Sequence, residues 1–79
     1  MTHVPHELHE EFPDKNQEIH DLKMSNAHFS RLSEEYHQVN RHIHRIETGI
    51  EPTSQEFETE LRKKRMVLKD EIAGMLARV

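Results

Sequence analysis

The run Phe29-x-x-Leu32-x-x-x-Tyr36-x-x-Val39-x-x-x-Ile43-x-x-Ile46, with Leu22 and Ser25 before it and Ile50 after it, decides the fold class. Its apolar steps alternate between three and four residues, the spacing that keeps one stripe of a helix turned to one partner. Leu61, Arg65, Leu68, Ile72, Met75 and Val79 repeat the pattern towards the end of the chain. Between the two runs stands Thr48-Gly49-Ile50-Glu51-Pro52, in which Gly49 supplies a helix stop and Pro52 stiffens the connection. A chain that reverses there pairs antiparallel layers whose residue numbers add to a constant. One constant serves throughout: Ile43 meets Leu61, Val39 meets Arg65, Tyr36 meets Leu68, Leu32 meets Ile72, and Phe29 meets Met75. Two stripes read separately thus agree on one all-α architecture, an antiparallel helical hairpin resembling a coiled coil.

Working outward, Asn26 is a good N-cap and opens a helix expected to run to about Glu47. The last helix is expected from about Ser54 nearly to Val79, capped by Thr53 with Glu56 reaching back to it. Upstream, Pro13 marks the start of a short helix with Ile19 and Leu22 on one face, interrupted at Ser25-Asn26. A single bent helix through that point is the alternative. Residues 1–12 carry His3, His6, His9, Glu7, Glu10 and Glu11 among few apolar groups, and are expected to form a flexible tail. Residues 13–79 then make one hairpin domain.

Charged and apolar residues each make up 33% of the 79 residues, with two Gly, three Pro and no Cys, a composition suited to long solvated helices. The net charge of −4 is too small, and the apolar spacing too regular, for a disordered chain. A domain this small buries a modest share of its surface and needs a staple, and without Cys that staple is metal, packing or a partner. No apolar run approaches the ~20 residues that span a bilayer, and Met1 to Glu7 lacks the basic and apolar stretches of a secretory leader. A cytoplasmic protein is expected.

Two helices leave part of each stripe uncovered. Phe12, Ile19 and Leu22 overhang the end of the last helix in this register, and Leu32, Tyr36, Met66, Val67 and Leu76 are candidates for outward apolar surface. The expected cover is a second copy, giving a homodimeric four-helix bundle, or a helical protein partner. Ile19, Leu22, Phe29, Leu32 and Tyr36 are the candidate contact residues. Folding back of the N-terminal segment over the seam is the monomeric alternative.

The stretch Leu61-Arg62-Lys63-Lys64-Arg65-Met66-Val67-Leu68-Lys69-Asp70-Glu71-Ile72 resembles the YdcH-like family of small bacterial proteins. Phe12-Pro13, Asn26-x-x-Phe29-x-x-Leu32 and Ile43-x-x-x-Glu47-x-Gly49 extend the resemblance over most of the chain beyond Pro13. It implies a helical hairpin and a bacterial, cytoplasmic protein of unknown function. Arg65 and Tyr36 stand where that family more often shows Lys and His.

Little in the sequence carries chemistry. Eight histidines are unusual for this length, but there is no His-Glu-x-x-His and no Cys to close a tetrahedral site, so no metal and no cofactor are expected. The serines lack an ordered base, and no Gly-rich phosphate loop occurs. A non-enzymatic interaction protein without a small-molecule substrate is the expectation. The alternative is a weak, sequence-nonspecific nucleic-acid-binding module using Arg62, Lys63, Lys64 and Lys69. Arg65 points into the seam, where its methylenes are expected on Val39 and its guanidinium on Tyr36, Glu35 or a carboxylate of a partner chain.

Overall fold

The computed structural model describes residues 4–78, and among these only helices, turns and loops occur. A single helical turn, α1 (Leu8–Glu11), leads through a 3-10 turn at Pro13–Lys15 into α2 (Asn16–Ser25). The two long helices follow as α3 (Ala27–Glu47) and α4 (Gln55–Leu76), packed on each other as the antiparallel hairpin.

Each boundary has a local cause. Asn26 leaves the helical region, with φ −133° and ψ 107°, and its side-chain oxygen accepts from the Phe29 amide at 3.0 Å. That bond satisfies one of the orphan donors of α3. At the other end Gly49 takes φ 79°, a left-handed conformation that favours glycine. The Ile50 amide reaches back to the Arg45 carbonyl at 3.0 Å and the Gly49 amide to that of Ile46 at 3.1 Å, which is a Schellman stop. The cap of α4 lies one residue later than expected. Ser54, not Thr53, accepts from the Phe57 amide, at 3.1 Å, because α4 begins at Gln55 and the third residue from its cap is Phe57.

Phe29, Leu32, Tyr36, Val39 and Ile43 of α3 are buried, as are Leu68, Ile72 and Leu76 of α4, with Leu61 and Met75 half-buried against them. Three expectations are corrected here. Leu32, Tyr36 and Leu76 do not face outward: they are core residues, because the buried stripe is wider than the two columns of a coiled-coil seam. Ile19 and Leu22 do not overhang uncovered, since α2 turns at Asn26 and lies along α3, which buries Ile19 and half-buries Leu22. Ile50, placed in the seam by its spacing, sits beyond the Schellman stop and is 73% exposed. Met66 and Val67 are exposed as expected.

The N-terminal residues also depart from expectation. Residues 4–12 are packed on the hairpin, with Leu8 buried at 2% exposure and Phe12 half-buried against the same core. A lone Leu in a polar, histidine-rich stretch has no periodicity to reveal that it is an anchor. The folding back of this segment over the hairpin is the arrangement observed. Residues 1–3 lie outside the described residues.

The hairpin layers predict the cost of opening one. Leu68→Ala removes a side chain that is 5% exposed and should lower unfolding free energy by about 2–5 kcal/mol, seen as a lower urea midpoint with unchanged slope. Melting like the parent would refute the layer assignment.

Candidate functional site

The polar centre of the molecule is Asn40, buried to 1% exposure on α3. Its amide nitrogen donates to the Pro5 carbonyl at 2.8 Å, while its oxygen accepts from Nη1 of Arg65 at 2.9 Å. One side chain therefore joins the N-terminal segment, α3 and α4, and the two bonds fix the orientation of its amide. One turn earlier, the Tyr36 hydroxyl donates to the His6 carbonyl at 2.5 Å. Burial pushes the Tyr36 phenol up to about 12, reinforced by Glu11 and Glu7 and opposed by Arg65. The phenol thus keeps the proton it donates.

Charged contacts flank these bonds. Nδ1 of His37 lies 2.7 Å from a Glu7 oxygen, close in distance but off the hydrogen-bonding line, so the contact is electrostatic. Glu11 accepts from His6 at 2.8 Å and faces Nζ of Lys69 at 3.5 Å. Burial pushes the Glu11 carboxyl up, but the His6 hydrogen bond and the Lys69 charge outweigh it and hold the group below its ordinary value. At the far end of the hairpin Glu51 pairs with His42 and with Arg45, and the His42 hydrogen bond is the main reason its carboxyl is lowered. These contacts tie the connecting loop back to α3.

All five candidate contact residues lie in one cluster. Phe29 and Tyr36 are fully buried, Leu32 and Ile19 nearly so, and Leu22 is half-buried, all inside the chain's own core. Ile19 and Leu22 supply the covering side, whereas Phe29, Leu32 and Tyr36 belong to the face that is covered.

The basic residues are not brought together as an open patch. Arg62 pairs with Glu47 at 2.7 Å and with Glu58 at 3.1 Å, Lys63 with Glu60 at 3.7 Å, and Lys69 with Glu11. Lys64 alone of the four has no ion pair among the described residues. Arg65 reaches Asn40, a partner the sequence did not suggest, since position 40 falls beside the expected seam. His6 precedes α1 with φ 65° and His9 lies within it, so the tail histidines do not share a helix face. His3 lies outside the described residues, and among those described no group of three His, Asp or Glu could hold a metal. A groove of ≈ 320 Å³ runs between the start of α3 and the end of α4, lined by His28, Leu32, Asp70, Glu71 and Met75 among others, and it is open to solvent. No helix among the described residues is long and apolar enough to cross a membrane.

A family model described as "Protein of unknown function (DUF465)" matches residues 29–76. The chain belongs to that family, and the match covers α3 from Phe29 together with the connecting loop and α4. No curated protein and no solved structure matches the chain.

The clustered contacts make two predictions. Asn40→Ala strands the Pro5 carbonyl and the Arg65 guanidinium, and should cost about 2–3 kcal/mol in chemical denaturation. Glu11, lowered when folded, stabilises the chain fully above the ordinary carboxyl value of 4.5, and that contribution disappears as pH falls through the lowered value. The parent should therefore lose melting temperature on acidification from about pH 5 to about pH 3 more steeply than Glu11→Gln. Parallel profiles would show that the Glu11 contacts contribute nothing.

Proposed function

We propose that this chain is a non-catalytic interaction module that self-associates, with its α3 face as the surface on which an amphipathic helix docks. The same chemistry admits a helical segment of another protein. One observation carries the reading: the family-matched hairpin presents a stripe too wide for α4 alone, and a separate, largely polar helix, α2, lies on the remainder with Ile19 and Leu22. The chain's own α2, bearing Ile19 and Leu22, packs in the same core as Phe29, Leu32 and Tyr36, and this supports the reading. We take the protein to be a bacterial, cytoplasmic member of the YdcH-like group, on the resemblance at Leu61 to Ile72 and at Phe12-Pro13.

The carboxylates and histidines sit in surface pairs, and the groove beside His28 and Asp70 is shallow, which suits docking better than a water-excluding reaction. Nucleic-acid binding draws little support, because Arg62, Lys63 and Lys69 are engaged by carboxylates and the chain carries net charge −4. Exposed Met24, Ile50 and Phe57 stand apart in the chain, and Met66 with Val67 is the one adjacent pair among the exposed large apolar residues described.

Salt separates the two readings. Sedimentation equilibrium over a wide concentration range should show dimers that persist from about 0.05 to about 1 M salt, because apolar docking is screened little. Phosphate binding through the cluster at 62–69 would instead weaken by orders of magnitude over a few-fold rise in salt. A chain that is monomeric throughout would overturn self-association.

A further inference from the structure

The covering segment, residues 4–25, is joined to the hairpin at a single non-helical residue. α2 ends at Ser25, α3 begins at Ala27, and Asn26 between them is extended, at φ −133° and ψ 107°. Were Asn26 to turn helical, α2 and α3 would merge into one helix over residues 16–47, about 48 Å long at 1.5 Å per residue. The three-and-four spacing continues across the junction through Leu22, Ser25, Phe29 and Leu32, with a polar residue at Ser25 and Ile19 one place out of step. Yet Ser25, which belongs to that stripe, is exposed in the bent form. The spacing at the junction thus fits a straight helix as well as the bent one.

We propose that two copies of this chain exchange residues 4–25, each straightening at Asn26 and laying its α1–α2 segment on the other's α3–α4 hairpin. This rests on the self-association reading above and names its interface. The occupant of the α3 face is fixed by identity: the segment from a second copy fits wherever the chain's own segment fits. Leu8 and Ile19 enter the same core, and the same bonds form between chains. These are Tyr36 to the His6 carbonyl at 2.5 Å, Asn40 to the Pro5 carbonyl at 2.8 Å, His37 beside Glu7 at 2.7 Å, and Lys69 beside Glu11 at 3.5 Å. What the exchange gives up is local to the junction: the Asn26 cap on the Phe29 amide. It gains unbroken helix through residues 23–30. Conservation of contacts with change confined to a short hinge is the condition under which segments swap.

The junction offers opposite variants. Asn26→Ala deletes the cap and favours helix at the hinge, and should tighten dimerisation by about tenfold or more in sedimentation equilibrium. Ala27→Pro sits at the first position of α3, where proline is tolerated after an extended residue, but it forbids a helix running through residues 23–27. It should remain fully helical and be monomeric at every concentration. A zero-length carbodiimide should join Glu11 to Lys69 between chains in the dimer fraction of the parent, and within one chain in Ala27→Pro. Dimers of Ala27→Pro as tight as those of the parent, or crosslinks in the dimer fraction that stay within one chain, would overturn the exchange and leave self-association standing. Absence of dimers in both the parent and Asn26→Ala would overturn both. If Ala27→Pro loses helicity, the parent's crosslinks decide: Glu11 joined to Lys69 between chains in the dimer fraction supports the exchange, and joined within one chain overturns it.

Discussion

The buried stripe of α3 is broader than one helix can cover, and the rest of the structure follows from that. Phe29, Leu32, Tyr36, Val39 and Ile43 form the expected columns, but Ser33 and Asn40, seven residues apart on the adjoining column, are buried too. A single antiparallel helix shields two columns, as in a coiled coil. The third must be closed by something else, and here α2 and the segment before it do so. Burying a Leu-sized side chain is worth roughly 1.5–3 kcal/mol, so Leu8 and Ile19 together contribute an amount comparable to a large part of the net stability of a small domain. The covering segment is therefore part of the fold and not an appendage.

That segment has few apolar groups, so its attachment relies on backbone carbonyls. Pro5 and His6 each offer a carbonyl to a buried side chain of α3, which satisfies polar groups at Asn40 and Tyr36 that would otherwise be stranded in the core. The chain passes through a left-handed residue at His6, a conformation that costs of order 1 kcal/mol for a side chain other than glycine. The Tyr36 bond to the carbonyl of that same residue is of similar size and offsets it. Charged contacts at Glu7 and Glu11 are partly exposed and add modestly to this. Geometry here is set by the neutral bonds, and the ion pairs decorate their rim.

The hairpin was legible in the sequence because its signals are local and repeated. Asn26 opens α3, Gly49 ends it, and the stripes meet in the core at Phe29, Leu32, Tyr36, Val39 and Ile43 with Leu68 and Ile72, while Ser25 and Ile50 at the ends of the first stripe are exposed. The N-terminal cover was not legible, since Leu8 stands alone among polar neighbours and a single apolar residue has no period. Asn40 was missed for a related reason. On a strict two-column pattern it falls beside the seam, where a polar residue is the expectation for a solvated face. The pairing of the basic cluster was hidden as well: Arg62 with Glu47, and Lys69 with Glu11, depend on the register between distant segments. Thr53 and Ser54 are equivalent caps by composition, and only the starting point of α4 distinguishes them.

The ambiguity at Ser25-Asn26, two helices or one bent helix, has a physical origin. An Asn in a helix interior costs roughly 0.6 kcal/mol relative to Ala, while an Asn cap is worth about 1 kcal/mol. Both terms favour the bent junction, together by about 1.5 kcal/mol, an amount that the backbone bonds gained by an unbroken helix through residues 23–30 are of a size to offset. The larger share of what holds it bent is tertiary: the fit of Ile19 and Leu8 into the α3 face, and the bonds to Pro5 and His6. Tertiary contacts of this kind specify which surfaces meet without specifying whether they belong to one chain. In the proposed exchange, a local preference this small leaves the choice between closed and exchanged forms to concentration, which sets how often a second copy's segment reaches the face before the chain's own.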